Sequence, residues 1–247
     1  MRNIWTIAKR EYKIYFGSPL AYIVMLIMLS VVGVIFALNI INLTNNPFGT
    51  NQAPDVSIVT GPMAFLLVFS VPALTMRLLA DEQRMGTLEL MLTAPVHDWE
   101  LVIGKWFGSF LFVLTIIAIS LIFPFLLNTM VTPGIDQQMM LSSYLGIILV
   151  ASAFLSLGVS ISAMFSNQFA AFFLSMGLLV VLWFLIGIPG QILFSGADIF
   201  NYLDMNARFY NSLNQGVINL SDLVYFLSVT AFGLFLGSVA IETRRWR

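Results

Sequence analysis

The sequence has no cysteine, a single histidine and very little charge. Without cysteine the chain can form neither a disulfide framework nor a thiolate metal site, and His97 alone cannot build a zinc site. Charged residues make up 9% of the 247 residues, and 59% are apolar. Ordinary soluble domains are roughly 25% charged, so this composition excludes a soluble globule. Nothing in it supports nucleic acid as a partner.

Long stretches of the sequence lack ionisable side chains altogether. A helix needs about 20 apolar residues to cross a bilayer. The stretch 137–197 is too long for one crossing, and its only polar break, Ser166-Asn167-Gln168, divides it into two spans. The sequence therefore predicts an all-α polytopic membrane protein, with a single transmembrane domain over residues 1–247. The six predicted transmembrane helices are 20–41, 58–78, 106–128, 143–165, 169–194 and 222–241.

Apart from Arg77 and Asp222 at their ends, the predicted spans contain no Asp, Glu, Lys, Arg or His, which bears on function. Ion-coupled carriers usually hold an ionisable group in the membrane, although sodium sites made of carbonyls and hydroxyls remain compatible with this sequence. A phosphate-binding loop ending at Gly104-Lys105 would need glycine at Trp99 and Ser or Thr at Trp106. The chain is therefore not expected to be an enzyme or to bind a cofactor itself.

Positive charge predicts the orientation of the chain, because short loops rich in Lys and Arg stay in the cytoplasm. Of the eleven basic residues, only Arg208 falls on the predicted outer side. The others are Arg2, Lys9, Arg10, Lys13, Arg77, Arg84, Lys105, Arg244, Arg245 and Arg247. Both termini are thus expected in the cytoplasm, which requires an even number of crossings.

The N-terminal residues 2–16 predict an amphipathic helix that lies at the membrane surface. Aromatic and aliphatic side chains gather on one side of this helix and basic ones on the other. The residues singled out here are Trp5, Lys9, Arg10, Glu11 and Tyr15. The pattern fits a simple membrane anchor and a mechanical role equally well.

Glu11 falls in the middle of the apolar side, where an unpaired carboxylate would be costly. We therefore expect a basic partner at the cytoplasmic end of the second span. Arg77 is the candidate for this ion pair, with Arg84 as the other choice. The alternative is that Glu11 reaches up to water.

The longest predicted cytoplasmic connection, 77–105, contains a short Leu-Met run at 87–92, which predicts a short amphipathic helix with Leu88, Met91 and Leu92 on its apolar edge. Gly86-Thr87 can open a helical turn, and Glu89 stands early in it, where the helix dipole favours negative charge. Such a helix either docks against another protein or folds back on the helix ends of its own chain.

Several motifs spread along the chain carry a family resemblance. They are Lys9-Arg10-Glu11, Tyr15-Phe16-Gly17-Ser18-Pro19-Leu20-Ala21-Tyr22, Leu74-Thr75-Met76-Arg77-Leu78-Leu79-Ala80-Asp81-Glu82, Gly86-Thr87-Leu88-Glu89-Leu90, Thr93-Ala94-Pro95, Gly216-Val217-Ile218, Asp222-Leu223-Val224-Tyr225 and Arg244-Arg245-Trp246-Arg247. With these motifs the chain resembles the permease subunit of an ABC transporter of the ABC-2 type. Within this type it resembles the gliding-motility and nitrous-oxide-maturation permeases.

This resemblance implies that 81–92 is a coupling helix, which enters a cleft of a separate ATP-binding subunit, and that 2–16 is a connecting helix. The implied contact residues are Asp81, Glu82, Arg84, Gly86, Thr87, Leu88 and Glu89. The expected assembly pairs this chain with a second copy or a related permease and with two ATPase subunits that hold ATP and magnesium. The expected location is a prokaryotic cytoplasmic membrane, and export is the expected direction.

Two other classes remain open at this stage. One is an ion-coupled carrier or channel without an ATPase, and the other is a non-transporting component of a mechanical complex. The resemblance also implies short external helices in the loop 195–220. Small residues at helical spacing, at Ser152, Ser156 and Ser160 and again at Gly233 and Gly237, allow close helix contact within one subunit or across a dimer.

Overall fold

The computed structural model describes residues 2–45, 55–86, 97–131, 134–192 and 197–245. These residues form helices and connecting turns, and the described part of the chain contains no strand. In chain order the helices are α1 (Arg2–Gly17), α2 (Pro19–Asn45), α3 (Ser57–Thr75), α4 (Ala80–Arg84), α5 (Asp98–Ser120), α6 (Ile122–Met130), α7 (Gln137–Met164), α8 (Gln168–Val180), α9 (Gly187–Ile192), α10 (Ala197–Leu203), α11 (Met205–Asn211) and α12 (Leu220–Arg245). A π-helical turn, Val181–Leu185, follows α8, and a 3-10 turn, Leu213–Gln215, follows α11.

Six helical stretches in the described residues are long and apolar enough to cross a membrane. They are Pro19–Leu43, Ser57–Arg84, Asp98–Met130, Gln137–Met164, Gln168–Gly190 and Leu220–Thr243. The predicted fold class, an all-α membrane protein with six spans, is confirmed. The helices extend beyond several of the predicted spans, most notably the third, which begins at Asp98 rather than at residue 106.

Helix α7 is the core of the bundle. In its most apolar stretch 89% of the residues are buried. The corresponding buried share is 17% in α2 and 22% in the span that contains α8. Its many Ser, Ala and Gly residues are small, so neighbouring helices can pack closely against it. Large apolar side chains of α2 and α8, among them Leu26, Val34, Phe169 and Phe173, are exposed on the surface of the bundle.

The small-residue stripes of α7 and α12 pack on each other within one chain. A Cβ atom added to Gly233 would lie 2.5 Å from Ser156 Oγ, and one added to Gly237 would lie 3.4 Å from Ser160 Cα. The sequence alone allowed these small residues to pack either within one subunit or across a dimer. In the structure they pack within one subunit.

Polar residues between the spans start the next helices. The Asp136 carboxylate accepts hydrogen bonds from the backbone N–H groups of Gln138 and Met139 at the start of α7. The Asn167 side chain accepts one from Phe169 N–H at the start of α8. Each side chain satisfies donors that a helix start leaves unpaired.

Three parts of the chain meet at one end of the bundle, which we call the basic end. Gly104, near the start of α5, lies against Ile7 of α1. Val102 of the same turn lies against Gly237, near the end of α12. The N-terminal helix and the C-terminal end of α12 therefore lie at the same end of the bundle.

At the other end, which we call the outer end, the short helices pack over α3 and α7. The Tyr210 hydroxyl donates a 2.8 Å hydrogen bond to the Gly61 carbonyl of α3. The Ser142 hydroxyl of α7 donates one of 2.7 Å to the Leu213 carbonyl. These bonds hold the segment after α9 against the bundle.

Candidate functional site at the basic end

A buried lysine joins three helices at the basic end. Lys105 Nζ donates hydrogen bonds of 2.9 Å to Glu11 Oε1 and of 2.9 Å to Glu82 Oε1. Lys105 is 1% exposed, Glu11 5% and Glu82 8%. Because Glu11 belongs to α1, Glu82 to α4 and Lys105 to α5, one side chain connects three elements that are far apart in sequence.

This three-residue group, the Lys105 cluster, is costly to break. Charges taken out of water lose several kcal/mol of hydration each, and that loss is offset only while the partners stay in contact. Removing one partner of a buried pair typically costs about 3–5 kcal/mol. The cluster therefore fixes the relative positions of α1, α4 and α5.

Arg10 supplies a second positive charge at the edge of the cluster. Its Nη2 atom lies 3.9 Å from Glu82 Oε1, and its side chain is largely exposed. Two cations, Lys105 and Arg10, thus stand against two carboxylates, Glu11 and Glu82. Among these four described side chains the charges balance.

The predicted ion pair between Glu11 and Arg77 names the wrong basic residue. Glu11 is buried and has a basic partner, but among the described residues that partner is Lys105, with neither Arg77 nor Arg84 in contact. The prediction placed Lys105 before the third span. The helix in fact begins at Asp98, so Lys105 lies about 10 Å along it and faces α1.

Two glycines let α1 lie directly on the backbone of α5. A Cβ atom at Gly104 would come within 2.8 Å of Ile7 Cβ, and one at Gly108 within 2.6 Å of Glu11 Cβ. Contacts that short do not occur between real side chains, so only glycine fits. The amphipathic helix is thus packed against a membrane helix through Ala8, Glu11 and Tyr15, while Trp5 and Lys9 stay exposed.

Tyr15 makes a second connection from α1 to α3 and α5. Its hydroxyl donates a 3.0 Å hydrogen bond to the Leu74 carbonyl and lies 3.1 Å from Ser109 Oγ. Its ring stacks on Phe112 with a centroid separation of 4.9 Å. Burial raises the pKa of Tyr15 above its usual value, so the hydroxyl remains a neutral donor.

Helix α4 is also held by the end of α7. The backbone N–H groups of Leu79 and Ala80 donate to Ser162 Oγ at 3.1 and 3.2 Å. The Gln83 side-chain amide donates a 2.7 Å bond to the Ala163 carbonyl. The first turn of the segment predicted to couple is therefore fixed to the core helix of the bundle.

The structure describes four of the seven predicted coupling residues. Glu82 is buried in the cluster, Asp81 is half-buried beside it, and Arg84 is exposed. Gly86 has a φ of +68°, a left-handed conformation that suits glycine. Thr87, Leu88 and Glu89 lie outside the described residues, as does the second half of the predicted coupling helix 81–92.

A cleft of about 720 Å³ opens beside the cluster, between α1 and the end of α3 with α4. Arg10, Glu11, Arg77, Asp81, Glu82 and Lys105 line its polar side. Ile14, Leu20, Leu74 and Leu78 line its apolar side. Among the residues that the structure describes, no cluster of His, Asp and Glu could hold a metal ion.

Sequence reasoning missed the residues that build this site on α5 and α7. Gly104 and Gly108 are four residues apart, which is the spacing that brings small residues onto one helix face, and this signal was available. Ser162 and Gln83 carry no such signal. Their roles depend on the fold, which brings the end of α7 next to α4.

A second buried ion cluster lies at the outer end. Arg208 Nη1 donates a 2.6 Å hydrogen bond to Asp222 Oδ1, and Arg208 Nε donates one of 2.9 Å to the Tyr202 carbonyl. The guanidinium lies over the rings of Tyr202 and Tyr225, at 4.4 and 4.6 Å from their centroids. Arg208, the basic residue apart from the others, thus fastens the outer helices to α12.

Six membrane-length helices, one of them buried at the centre of the bundle, with a further amphipathic helix packed at one end, define a multi-pass membrane protein. The family model of the ABC-2 type transporter matches residues 2–189, from α1 into α9. The chain belongs to this family and is a membrane permease component of a transporter. No curated protein matches the chain.

Proposed function

We propose that this chain is the transmembrane permease subunit of an ABC transporter, which exports substrate by alternating access driven by ATP hydrolysis in separate ATP-binding subunits. Membership of the ABC-2 type transporter family and the absence of a phosphate-binding loop from the sequence support this proposal. Both termini would lie in the cytoplasm, because the basic end carries most of the positive charge.

The single observation that carries the proposal furthest is the Lys105 cluster. Helix α4 begins the segment 81–92, which we propose to dock on the ATPase subunit. Through Glu82 and Lys105 this helix is connected to α5, and through Glu11 to α1. A force that reaches α4 is therefore passed on directly to two other helices, α5 and α1.

The mechanism follows from this connection. ATPase subunits that close on ATP would push on the segment after α4, and Lys105 would make α1 and α5 move with it. Close-packed helices have discrete alternative arrangements rather than a continuous range, so a small push changes the packing of the bundle. The pathway would then open to the other side of the membrane.

The assembly we propose contains a second permease, either another copy of this chain or a relative, and two ATPase subunits with ATP and magnesium. The membrane is the prokaryotic cytoplasmic membrane. A lipid-like or polymeric substrate suits a bundle with few ionisable groups, and the resemblance to the gliding-motility and nitrous-oxide-maturation permeases remains part of this proposal.

Co-purification from the native host tests the proposal. Glu82 is a poor choice for a docking variant, because its loss would disturb the buried cluster. Arg84 and Met85 are exposed at the end of α4, so Arg84→Glu with Met85→Asp should abolish docking without unfolding the chain. Lys13→Glu, an exposed charge reversal on α1, is the matched control.

The expected result is that an ATP-binding subunit co-purifies with the unaltered chain and the Lys13→Glu variant, and is lost from the docking variant. Mass spectrometry of the purified material identifies it. If no ATPase appears even after crosslinking, or if the docking variant retains it fully, the assignment of the coupling segment is wrong.

One observation favours a second candidate, an ion-coupled carrier. Lys105 and its two glutamates are ionisable groups within a membrane-length helix bundle, and such groups often serve ion pathways. Flux in vesicles separates the candidates. An ATP-driven permease transports only with ATP and its ATPase subunit, whereas a carrier responds to an imposed proton or sodium gradient without them. A non-transporting mechanical component would give flux under neither condition.

A further inference from the structure

The cleft beside the Lys105 cluster has a wall of mixed character. Its volume of about 720 Å³ lies within the range of roughly 300–1,000 Å³ that is typical of ligand sites. Leucine and isoleucine side chains from α1, α2 and the end of α3 form one side, and charged side chains form the other. A ligand that fits must therefore be amphipathic.

The charges of the cleft can be assigned in pairs. Lys105 and Arg10 balance Glu11 and Glu82, as described above. That leaves Arg77, which is exposed, and Asp81, which is half-buried. Neither makes an ion pair with another described residue, although both line the cleft. One positive and one negative group are thus available to a ligand.

We propose that this cleft binds a zwitterionic phospholipid with a primary amine, of the phosphatidylethanolamine class. Arg77 would hold the phosphate, Asp81 the ammonium group, and the apolar side the upper part of the acyl chains. A guanidinium binds phosphate through parallel charge-assisted hydrogen bonds, which makes arginine well suited to this contact.

The pairing of charges selects this headgroup over others. A primary ammonium carries three N–H donors for a carboxylate, as a lysine side chain does. A choline group has none, so it would lose the hydrogen bond to Asp81. An anionic headgroup without an amine would place negative charge near Asp81 with no compensation.

The depth of the cleft also favours a lipid. Helix α1 is amphipathic and has exposed Trp5 and Ile14 beside exposed Lys9 and Lys13, a pattern typical of a helix at the headgroup level. A lipid held between α1 and α4 would contact both elements that Lys105 connects. This inference goes beyond the proposed function, since it concerns the chain alone.

Binding to the purified chain in detergent, without any ATPase subunit, tests the inference. The probes are phosphatidylethanolamine, phosphatidylcholine, phosphatidylglycerol and the soluble headgroup glycerophosphoethanolamine, and retention is measured by native mass spectrometry. Phosphatidylethanolamine should bind most tightly. Arg77→Gln should weaken its binding about tenfold, the effect of losing a hydrogen-bonded charge.

Asp81→Asn should remove the preference for ethanolamine over choline while leaving phosphatidylcholine binding unchanged. Lys13→Gln removes an exposed charge on α1 outside the cleft and should leave every affinity unchanged. Arg77 and Asp81 take no part in the buried cluster, so both variants should keep the unfolding midpoint of the unaltered chain.

Three outcomes would overturn the inference. Equal or tighter binding of phosphatidylglycerol would show that Asp81 does not select the headgroup. Equal binding of glycerophosphoethanolamine would assign the site to a soluble phosphate ester. Unchanged phosphatidylethanolamine binding in a folded Arg77→Gln variant would show that the phosphate lies elsewhere.

Discussion

The two buried ion clusters at opposite ends of the bundle are built differently. At the outer end, Arg208 bonds to groups 14 and 6 residues away in the chain. At the basic end, Lys105 bonds to carboxylates 94 and 23 residues away. The outer cluster closes a local segment on itself, whereas the basic cluster joins helices that are separate in the sequence.

The partners of the two clusters differ in the same way. Asp222 also accepts hydrogen bonds from Ser212 and Asn219, so its charge keeps donors even without Arg208. Among the described residues, Glu11 forms its ion pair with Lys105, and Glu82 contacts Lys105 and, at a longer distance, Arg10. The cluster at the outer end should therefore keep its structure when one member is lost, whereas the Lys105 cluster should not. A connection between helices that depends on every member is what mechanical coupling requires.

Lys105→Met should give the largest effect of any single change here. It leaves Glu11 buried without its cation, and we expect a loss of about 3–5 kcal/mol in the free energy of unfolding. A denaturant titration in mixed micelles measures it. Hydrogen exchange should rise in α1 and α4 and stay unchanged in α10 and α11. A loss below about 1 kcal/mol would mean that the cluster is well hydrated.

A neutral triple variant separates stability from coupling. Glu11→Gln, Glu82→Gln and Lys105→Met together remove all three charges, and buried ion clusters can be replaced by neutral groups with little or no loss of stability. We expect the triple variant to fold and to bind the ATPase subunit but to show a reduced ATPase rate in the reconstituted complex. A full ATPase rate would assign the cluster a structural role only.

Arg208→Met should have a smaller effect, confined to the outer end. The hydrogen bond to a charged group is worth about 1.5–3 kcal/mol, and Asp222 keeps the donors of Ser212 and Asn219. Hydrogen exchange should rise in residues 197–215 alone. If exchange also rises in α1 or α4, the two ends are coupled and the contrast between them is wrong.

The sequence was sufficient to predict the six spans, because a bilayer requires long apolar stretches and their polar breaks are few. It also predicted that Glu11 must have a basic partner. It misplaced the partner because Lys105 precedes the apolar run and was assigned to a loop. Two charged residues in the first turn of α5, Asp98 and Glu100, hide the true start of the helix, which lies seven residues before Lys105.

The rest of the site depends on distances in the fold. Nothing near Ser162 in the sequence indicates that its hydroxyl accepts hydrogen bonds from the start of α4, 83 residues earlier. Likewise, the packing of Ser156 against Gly233 follows from the central position of α7. Local patterns predicted which residues are small or charged. Only the packing of helices determined which of them meet.

Gly108→Ala tests the contact between α1 and α5. The new Cβ would lie 2.6 Å from Glu11 Cβ and 2.9 Å from the Ala8 carbonyl oxygen, so α1 must shift away. Overpacking of this kind costs about 1–3 kcal/mol. Gly177→Ala in α8, where nothing lies within 4 Å, is the control and should leave stability equal or slightly higher. Equal behaviour of the two variants would contradict the close packing of α1.

The smallest expected effect comes from a matched pair of hydroxyl deletions. Tyr15→Phe removes a 3.0 Å hydrogen bond to Leu74 at the basic end, and Tyr210→Phe removes a 2.8 Å bond to Gly61 at the outer end. Each should cost about 1 kcal/mol of stability, the usual value for a neutral hydrogen bond.

The same pair of variants tests where force from the ATPase acts. Because both variants lose the same stability, any difference in ATPase rate between the two reconstituted complexes comes from the end of the bundle at which the hydrogen bond was removed. We expect the rate to fall only for Tyr15→Phe, since Tyr15 connects α1 to α3 beside the segment that we propose to dock on the ATPase subunit. An equal fall in both variants would mean that force from the ATPase spreads through the whole bundle rather than through the basic end.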